Sequence, residues 1–485
     1  MTGISTIFLQ EIPKLKIIQA IAKRKKAKVY LVGGFLRDYL LGRDCFDFDF
    51  AVSKDAIRIA RIFAQKIKGA FVLLDQEHGC ARVVKKDQNR LLTFDFADFR
   101  DKTISGDLSH RDFTINTLCI DIERLDTSEN LQKILLDLKG ALKDINARTI
   151  KMVSSKSFKE DPLRLLRAFS LQAILGFDIE KKTLMQIKKD KNHLREVAYE
   201  RIRDEFFKIL ATEKASFYLK AMDKAGFLDC VIPQLNVMYD CPQGGYHHLD
   251  VWPHSLETVA QLEEVFEEVK TNQGIWEYLN EPLAATRKRL SLLKLAALLH
   301  DIGKPDTKKK ENGKTSFHGH EKVGQRITRH IALMLKLSTR ERHILEDMVL
   351  WHLRPGYLSN FKSPSERSVF RYFRDTKDEG ASILLLSWAD QRSTRGPLTT
   401  SYDQKHHEDI VQRLMMRYFA KKREKPFVRL INGHDLIRRL KLTPSPLFAK
   451  ILREVEEKQA MGEITTKKEA LELAKKAAGQ SKHKS

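Results

Sequence analysis

Residues 29–52 read VYLVGGFLRDYLLGRDCFDFDFAV, and this stretch decides the fold of the N-terminal part of the chain. The pattern predicts a short buried strand, a turn at Gly33-Gly34, a helix, a tight loop and a second strand. In the second strand three phenylalanines alternate with Asp47 and Asp49. Because the side chains of a strand alternate between its two faces, the rings should point to the core and both carboxylates to the opposite face.

Two carboxylates on one face of a strand are unfavourable unless a ligand compensates for them. Like charges at this spacing repel each other, and Asp is a poor strand former. A divalent cation between Asp47 and Asp49 would reverse the repulsion, and Mg²⁺ prefers oxygen ligands and substrate phosphates. The Gly33-Gly34 turn would present backbone N–H groups at the positive end of a helix, where Arg37 adds charge. A lone D-x-D is usually a solvated strand face, but beside this turn it predicts magnesium and triphosphate sites.

The net charge of the chain favours a nucleic-acid partner. Lysine and arginine total 87 among 485 residues, against 64 acidic residues, which gives a net charge of +23. An excess of this size favours a polyanion, nucleic acid first and a membrane surface second, although a solvated basic surface is the alternative. The length predicts three or four domains, and no apolar run approaches the ~20 residues of a membrane span.

The cysteines and the N-terminus favour the cytoplasm. The five cysteines are scattered and form no C-x-x-C pair, which argues against a zinc ribbon and against a disulfide framework. The first residues lack the basic-then-apolar order of a secretory signal. We therefore expect a cytoplasmic protein with no membrane partner.

Residues 1–147 are predicted to form an α/β head. Apolar residues recur on one side of a predicted helix at 55–68. Further strands are predicted at 70–74, 81–84 and 91–96. In the last of these, Asp95 faces away from the neighbouring phenylalanines. If this strand pairs beside Asp47 and Asp49, Asp95 completes a three-carboxylate metal site; a solvated Asp at a sheet edge is the alternative.

The segment 108–120, LSHRDFTINTLCI, is predicted to be a helix that begins near Ser109 as its cap. Arg111, Asp112 and Asn116 form a polar cluster in it. At positions i and i+4 of a helix, Asp112 and Asn116 would share one face and present donors and acceptors to a ribose.

From 148 to 232 the pattern predicts an all-helical neck. Glu160-Asp161-Pro162 opens one of its helices, because Pro suits a first turn and acids suit the positive end of the helix dipole. Arg164 lies three residues after Asp161 on the same face. The two side chains could pair with the edge of a planar base, or the acids could merely cap the helix.

Histidines and aspartates on separate segments predict a metal cluster within 233–400. The phrase LAALLHDIGK places His300 and Asp301 at the end of an apolar helix. A single buried His is usually a satisfied core residue, whereas an adjacent His-Asp pair with further His and Asp on other helices fits metal binding better. These further residues are His254, His320, His352 and Asp390.

The order of the motifs resembles a known family. GG-x-x-RD, LLGR and DFDF resemble the signature of bacterial tRNA nucleotidyltransferases (CCA-adding enzymes) and of the related bacterial poly(A) polymerases. The His and Asp pattern resembles an HD-type metal-dependent phosphohydrolase domain, and FVRLINGHDLIRRLKLTPSP resembles the C-terminal segment of the family. The resemblance implies an α+β fold with four parts: a nucleotidyltransferase head with a mixed β-sheet and helices (1–147), an all-α neck with a template for the nucleotide base (148–232), an HD domain (233–400) and a helical, basic tRNA-binding tail (401–485).

The resemblance also implies roles for individual residues. Asp47, Asp49 and Asp95 would be catalytic; Asp47 and Asp49 would bind Mg²⁺ and activate the 3′-hydroxyl of tRNA for attack on the α-phosphate of CTP or ATP, with release of pyrophosphate. The nucleotide would be bound by Gly33, Gly34, Arg37, Arg111, Asp112, Asn116, Asp161, Arg164, Arg167, Glu200 and Arg203. Asp161 and Arg164 match an EDxxR element that selects the base, and Glu200 and Arg203 would brace it.

In the HD domain the resemblance implies His254, His300, Asp301 and Asp390 as metal ligands. His320 and His352 would serve a second metal. Which divalent metal this domain prefers is left open, with Mg²⁺, Mn²⁺ and Ni²⁺ all compatible. Whether the domain is an active phosphohydrolase or only structural is left open as well.

Three departures from the family pattern bear on which nucleotides are added. His110 precedes Arg111 where two arginines are usual, and Ser170 stands where an arginine is usual. The connection at 101–106 is short, whereas many members that add all three nucleotides have a longer flexible loop there. The short loop favours an enzyme that adds only CC or shares the task with a partner. The expected reaction is addition of C and/or A residues at the tRNA 3′ end; an enzyme that adds only CC with a partner and a poly(A) polymerase are the alternatives, the latter disfavoured by the HD domain, and the oligomeric state is open.

Overall fold

A seven-stranded mixed sheet forms the N-terminal part of the computed structural model, which describes residues 6–87, 90–125, 131–311, 314–423 and 427–482. Its strands are β1 (Val29–Val32), β2 (Asp47–Val52), β3 (Ala70–Asp75), β4 (Cys80–Asp87), β5 (Arg90–Asp98), β6 (Leu118–Asp121) and β7 (Leu135–Asp137). The order across the sheet is β3-β4-β5-β2-β1-β6-β7. Strands β2 and β5 are parallel and the other neighbours are antiparallel. The strands predicted in the head are confirmed.

One face of this sheet is the core of the head. Phe48 and Phe50 of β2 stack on Phe94 and Phe96 of β5, with ring centroids 5.0 and 4.8 Å apart. Phe46 precedes β2 and is only half-buried, so two of the three predicted core phenylalanines are in the core. Because the strands alternate, the aspartates between these rings lie on the opposite face.

The helices of the first part confirm most of the predicted ones. They are α1 (Thr6–Lys25), α2 (Gly34–Leu40), α3 (Ala56–Ile67), α4 (Ile104–Ser109), α5 (Leu131–Ile134), α6 (Ala141–Asn146), α7 (Ser157–Glu160), α8 (Leu163–Leu175), α9 (Lys181–Asp190) and α10 (Tyr199–Leu210). Helix α3 packs its apolar side, including Ile59 and Phe63, under the sheet. The neck also contains a two-residue parallel pair that the sequence did not predict, β8 (Thr149–Ile150) with β9 (Asp178–Ile179).

The predicted helix at 108–120 is wrong. Helix α4 ends at Ser109, a 3₁₀ turn follows at Thr114–Asn116, and β6 begins two residues later. The reason is tertiary, because β6 pairs with β1 in the register Val32↔Cys119 and its backbone hydrogen bonds go to the sheet. The β-branched residues of this segment were the available signal against a helix.

The chain divides into two units, Met1–Ile209 with Ala221–Val231, and Leu210–Lys220 with Ile232–Ser485. The second unit is almost entirely helical. Helix α11 (Ala215–Lys224) is divided between the two units, and α12 (Leu228–Val231) belongs to the first. The further helices of the second unit are α13 (Val251–Val269), α14 (Gln273–Leu279), α15 (Arg289–Leu299), α16 (Lys304–Thr307), α17 (His320–Met334), α18 (Thr339–Trp351), α19 (Arg354–Ser359), α20 (Glu366–Thr376), α21 (Gly380–Ser393), α22 (Ser401–Arg423), α23 (Gly433–Leu440), α24 (Pro446–Ala460) and α25 (Lys467–Lys482).

Two short hairpins complete the second unit, β10 (Pro282–Ala284) with β11 (Arg287–Lys288) and β12 (Lys309–Glu311) with β13 (Lys314–Ser316). Helix α15 is buried along its length, as the run LSLLKLAALL requires. The last three helices share a small core around Leu436, Ile451 and Ala474. In the described part of the chain, no helix is both long and apolar enough to cross a membrane. The α+β fold is confirmed, and the predicted boundaries after 147, 232 and 400 stay predictions.

Candidate functional site

Three carboxylates lie on the open face of the sheet, on the neighbouring strands β2 and β5. The register pairs Asp49 with Asp95 and Asp47 with Thr93, so the three carboxylates share one face. Asp47 is exposed and accepts a hydrogen bond from the Thr93 hydroxyl. The strand pairing on which the prediction for Asp95 depended is therefore present.

Asp95 has a partner that the sequence analysis missed. Arg82 lies opposite Asp95 on β4, with its Nε 2.7 Å from Oδ1 and its Nη2 2.6 Å from Oδ2. A two-point contact of this kind fixes the orientation of both side chains. An arginine at an alternate position of the predicted strand 81–84 was the signal that could have found it.

The turn between β1 and α2 brings the backbone close to these carboxylates. Gly33 has a φ of +86°, which favours glycine. A Cβ at this position would lie 2.9 Å from Asp49 Oδ2 and 3.1 Å from Arg111 Nη1. Only glycine therefore leaves room for the carboxylate and the guanidinium beside the start of α2. At Gly34, the first residue of α2, an added Cβ would only reach ordinary contact with Arg37, 3.4 Å from its Nη2.

Asp49 is the carboxylate most affected by its surroundings. Burial raises its pKa to about 6, and the nearby Asp95 and Asp47 act in the same direction. Arg111 and Arg167 oppose this rise without cancelling it. A carboxylate with such a raised pKa gains stability from a cation placed beside it. The donor set, carboxylate oxygens on an open face, is the kind that Mg²⁺ binds together with phosphates.

A chain of polar contacts joins the 3₁₀ turn to α2 and α8. Arg37 Nη1 donates to Asn116 Oδ1 at 2.6 Å, and Asn116 Nδ2 donates to Asp112 Oδ1 at 3.0 Å. Arg167 Nε is 2.7 Å from Asp112 Oδ2. Burial acts to raise the pKa of Asp112, but Arg167 and Asn116 hold it below its usual value. Four of the predicted nucleotide-binding residues are therefore brought together.

Asp161 and Arg164 use different partners. Asp161 accepts a hydrogen bond from Arg201 Nη2 at 2.9 Å and one from the backbone N–H of Leu163, the first residue of α8, at 3.3 Å. Arg164 is buried and donates to the His110 carbonyl oxygen at 2.6 Å and to Ser157 Oγ at 2.9 Å. The predicted shared edge for a base therefore stays a prediction, and Arg201 is a residue that the sequence analysis missed.

Of the two residues on α10 that were predicted to support the base-binding residues, only Arg203 has a side-chain contact described here, and that contact is within α10. Glu200 is exposed, and Arg203 Nε donates to the adjacent Asp204 at 2.8 Å. The buried acid of this helix is Glu205, which accepts a hydrogen bond from Ser170 and forms an ion pair with Lys208 at 2.8 Å. Ser170, one of the departures noted in the sequence, is thus the contact between α8 and this buried acid.

The second unit contains a cluster of four histidines and two aspartates from separate helices. His254 lies in α13 and Asp390 in α21, while His300 and Asp301 directly follow α15. His320 begins α17, and His352 directly follows α18. Five of the six side chains are almost completely buried, and Asp390 is partly buried.

Their donor atoms form two groups, each within 4.8 Å: His254 with His300 and Asp390, and Asp301 with His320 and His352. Asp301 connects the groups, because its Oδ2 lies 3.1 Å from His300 Nε2 and its Oδ1 lies 3.3 Å from His320 Nε2. The four residues predicted as primary ligands are therefore adjacent, with Asp301 between the two groups. The pair predicted for a second metal, His320 and His352, is also together.

The histidine rings are oriented as metal ligands are. The Nδ1 atoms of His300, His320 and His352 lie 2.7–2.8 Å from the carbonyl oxygens of the residues three positions earlier. These bonds direct each Nε2 into the cluster, which is the usual outer contact of a metal-bound histidine. His300 Nε2 and Asp301 Oδ2 are buried and make no aligned hydrogen bond in the described structure, although each lies close to a charged group of the cluster.

The pKa shifts in this cluster indicate that it favours a bound cation. Burial acts to lower the pKa of His300, but Asp301 and Asp390 raise it to about 10. Burial lowers the pKa of His352 to about 3, and the neighbouring His320 and His300 add to this effect. The two carboxylates therefore favour positive charge at the centre of the cluster. A divalent ion fits these residues, since imidazole and carboxylate suit several such metals.

Two further residues at this cluster were missed. Lys304 Nζ lies 2.6 Å from Asp301 Oδ2 and also donates to Gln243. The ring of His247 packs edge-on against His254, with centroids 4.7 Å apart, and burial lowers its pKa to about 3. The position of Lys304 in the phrase HDIGK, three residues after Asp301, was the available signal.

Family models match four segments of the chain. The model described as "Poly A polymerase head domain" matches 29–151, and the HD domain model matches 251–394. A model for an RNA-binding site of poly(A) polymerases matches 176–238, and one for a tRNA nucleotidyltransferase domain matches 421–474.

Known proteins are similar along nearly the whole chain. The A-adding tRNA nucleotidyltransferase of Deinococcus radiodurans is 30% identical over 450 residues, covering 91% of this chain and 93% of the relative. The CC-adding tRNA nucleotidyltransferase of Thermus thermophilus is 28% identical, covering 90% and 91%. The solved structure of a CCA-adding enzyme in an apo form superposes with a TM-score of 0.62 at 20% identity and covers 97% of this chain and 96% of that chain. This family uses a divalent metal. The chain therefore belongs to the tRNA nucleotidyltransferase family and is an enzyme of the nucleotidyltransferase class.

Proposed function

We propose that this enzyme adds nucleotides to the 3′ end of tRNA without a nucleic-acid template, using CTP, ATP or both and releasing pyrophosphate. The observation that supports this most is the pairing of Asp47, Asp49 and Asp95 on adjacent strands beside the glycine turn. Relatives named as an A-adding and a CC-adding tRNA nucleotidyltransferase, and one named Multifunctional CCA protein, support the substrate class. Such an enzyme would work in the cytoplasm, with tRNA as its partner.

Each part of the head has a role in this reaction. Mg²⁺ held by Asp47 and Asp49 would polarise the phosphate and lower the pKa of the attacking hydroxyl. The Gly33 turn lets the triphosphate approach the start of α2, and Arg111 offers it positive charge. The contacts among Arg37, Asn116 and Asp112 fix the groups that face the sugar. Holding both reactants in line in this way supplies much of the acceleration of a phosphoryl-type transfer.

Base selection would come from the neck. Arg167 contacts Asp112 and interacts electrostatically with Asp49; Arg164 lies one turn earlier in α8, and Asp161 lies just before the helix. Asp161 offers an acceptor and Arg164 a donor. A mispaired buried polar group costs about 1–3 kcal/mol, which is enough for useful discrimination between bases. Glu200 and Arg203 would support these residues from α10.

The test is extension of two labelled tRNA transcripts, one that ends before CCA and one that ends in CC. Each is incubated with Mg²⁺ and CTP alone, ATP alone or both, and products are resolved at single-nucleotide length. Addition limited to a few nucleotides at the tRNA end supports the proposal. Long adenosine ladders on any RNA would instead indicate a poly(A) polymerase, and no extension at all would reject both.

Incomplete addition is the second candidate, and one observation favours it. The connection after β5 is a short ordered turn, in which Thr103 caps α4 by accepting a hydrogen bond from the Gly106 N–H at 3.1 Å. In the family, a longer loop at this place accompanies addition of all three nucleotides. The same assay separates the cases. A stop after two cytidines, or addition of A only to the CC transcript, indicates an enzyme that needs a partner.

We also propose that the HD domain hydrolyses phosphate esters. The buried group around Asp301 would hold one or two divalent ions, and Lys304 would offer positive charge to a phosphate beside it. A phosphatase substrate and a 2′,3′-cyclic nucleotide, each with Mg²⁺, Mn²⁺ or Ni²⁺, would test this activity. No hydrolysis with any of these metals would leave the cluster a structural element.

A further inference from the structure

The three carboxylates of the head differ in the partners that they already have. Asp47 is exposed and accepts a hydrogen bond from the Thr93 hydroxyl, whereas Asp49 is half-buried. In Asp95 both oxygens are engaged by one arginine, because Arg82 Nε lies 2.7 Å from Oδ1 and Nη2 lies 2.6 Å from Oδ2. Of the three carboxylates, Asp95 is therefore the least available to a cation.

The register of the sheet places Arg82 in one row with two of the carboxylates. Asp49 on β2 pairs with Asp95 on β5, and Asp95 pairs with Arg82 on β4, so the three side chains share the open face. The Arg82 side chain is 43% exposed and that of Asp95 29%, so solvent reaches their contact. A partly exposed ion pair of this kind contributes little net stability, and another cation can therefore replace it.

The Asp95 carboxylate cannot bind a guanidinium and a divalent cation equally well at the same time. Two positive charges held close together repel each other. The fork of Arg82 also fixes the plane of the carboxylate, so Asp95 cannot turn an oxygen toward a cation shared with Asp49 without breaking part of this contact. Arg82 and a cation are therefore competitors for Asp95.

The neighbouring aspartates strengthen the hold of Arg82. Asp47 and Asp49 attract its guanidinium electrostatically, in addition to Asp95. A cation bound between Asp47 and Asp49 would cancel this additional attraction. The hold of Arg82 on Asp95 would then weaken, so that binding at the first two carboxylates makes the third one available.

We propose that Arg82 is a positioning residue that occupies Asp95 until a nucleotide and its cation have bound at Asp47 and Asp49, and that it must release Asp95 before a second cation can bind there. This assignment rests on the proposed function. It makes the binding of the two cations ordered. Because a two-metal transfer needs both cations, the site would become complete only after the triphosphate is in place.

The first test counts bound cations and does not depend on activity. Mn²⁺ is titrated into the full chain with the non-hydrolysable analogue α,β-methylene-CTP, and free Mn²⁺ is followed by electron paramagnetic resonance. Each titration is repeated with Asp95→Asn in the same background, because the difference counts only ions that need Asp95 and cancels those at the HD cluster. We expect the Asp95-dependent Mn²⁺ to bind about tenfold more tightly in Arg82→Gln than in the wild type.

Two further variants separate competition from a general effect of charge. Arg82→Lys keeps the charge but loses the two-point contact, so the affinity of the Asp95-dependent Mn²⁺ should lie between those of the wild type and Arg82→Gln. The exposed Lys86 lies on the same face of β4, in the row of Leu91. Lys86→Gln removes an equal charge farther from Asp95 and should leave this affinity unchanged.

Three results would overturn the proposal. Unchanged or weaker Asp95-dependent binding in Arg82→Gln would mean that Arg82 orients Asp95 for the ion instead of competing with it. An equal gain in Lys86→Gln would indicate a general charge effect. No Asp95-dependent Mn²⁺ in any of these proteins would show that Asp95 binds no cation.

The second test uses the Mg²⁺ dependence of nucleotide addition. If Arg82 competes with a cation, the Mg²⁺ concentration that gives half of the maximal rate should fall about tenfold in Arg82→Gln and stay at the wild-type value in Lys86→Gln. An unchanged or higher Mg²⁺ requirement in Arg82→Gln would contradict the proposal.

The proposed function and the role of Arg82 fail in different ways. If the wild-type enzyme extends no RNA, the proposed function is wrong, and the Mn²⁺ titrations still decide whether Arg82 competes at Asp95. If it extends tRNA normally and Arg82→Gln binds Mn²⁺ as the wild type does, only the role of Arg82 is wrong.

Discussion

The two acidic sites of the chain differ in how much of a cation's surroundings the protein itself supplies. In the head, Asp47 is exposed and Asp95 is already held by Arg82. In the HD domain, buried histidines and aspartates bring their donor atoms within 4.8 Å in each of two groups. The first arrangement leaves coordination positions for substrate phosphates, as Mg²⁺ in phosphoryl-transfer sites requires. The second can hold a metal with protein ligands alone.

The comparison predicts that metal in the head comes with the nucleotide, whereas metal in the HD domain stays with the purified protein. It also predicts that damage to one site leaves the other reaction intact. The following experiments separate the two sites, beginning with the largest expected effect.

Removal of either head carboxylate should abolish transfer. Under the proposed function, Asp47→Ala or Asp49→Ala would remove a ligand of the cation that positions the reacting phosphate, which is worth several kcal/mol, so we expect a loss of at least about a thousandfold in nucleotide addition. Binding of tRNA, measured by filter retention, should persist. His300→Ala is the matched control and should retain transfer. Normal activity of either aspartate variant would show that this pair is not the catalytic metal site.

Removal of one buried partner should empty the HD cluster. His300→Ala or Asp301→Ala leaves other charges uncompensated, a change that costs about 3–5 kcal/mol in buried ion pairs. We expect the metal content of the purified protein, measured by mass spectrometry, to drop, and phosphate-ester hydrolysis to fall about a hundredfold or more. Transfer should be unaffected. Equal loss of both activities would mean that the cluster only supports the fold.

Gly33→Ala should damage catalysis through close contact rather than through backbone strain alone. The added Cβ would displace Asp49 or Arg111, and a shift of about 1 Å in a reacting group costs about a hundredfold in rate. Gly140→Ala is the control, because Gly140 has a similar φ of +80° and nothing within 4 Å of its Cβ. Both variants should lose about 1 kcal/mol of stability, but only Gly33→Ala should lose activity. Equal activities would contradict the close packing at the turn.

His407 should make stability depend on pH. This buried histidine contacts Ser359 at 3.0 Å and Ser387 at 3.2 Å, and burial lowers its pKa to about 4. In the unfolded chain a histidine has a pKa of about 6.5 and therefore binds a proton at a higher pH than the folded chain does. The contribution of His407 to the free energy of unfolding is full above pH 6.5 and falls as the pH drops toward 4. We expect a loss of about 2 kcal/mol between pH 7 and pH 5 from this group. Denaturant unfolding of His407→Gln should show a shallower dependence; the same slope as wild type would refute this.

Patterns within short segments of the sequence correctly predicted the strands, turns and helices whose conformation depends on neighbouring residues in the chain. The alternation in DFDF, the glycine turn and the apolar side of α3 each require one kind of element, and the structure contains them. The segment 108–120 was predicted wrongly because its conformation depends on β1. Cys119 pairs with Val32, a residue 87 positions away, and no local pattern records that pairing.

For the sites, residue types were predicted more successfully than their partners. Asp47, Asp49 and the histidines of the cluster could be predicted because side chains of these types, in these patterns, have few roles other than metal binding. Arg82, Arg201 and Lys304 were missed because each becomes informative only when its carboxylate partner is known. The inward hydrogen bonds of Arg164 could not be predicted either, since they follow from how the segment around His110 packs on α7 and α8.

The contact between Arg82 and Asp95 has a consequence for how the head folds. Strands β4 and β5 form a hairpin, so these two residues, 13 positions apart, can meet early, whereas Asp49 meets Asp95 only when the parallel pairing of β2 and β5 closes a much longer loop. We therefore expect the hairpin to pair with β2 after the charge of Asp95 has been balanced by Arg82. A nascent chain can align its acidic strands before any ion or nucleotide is bound.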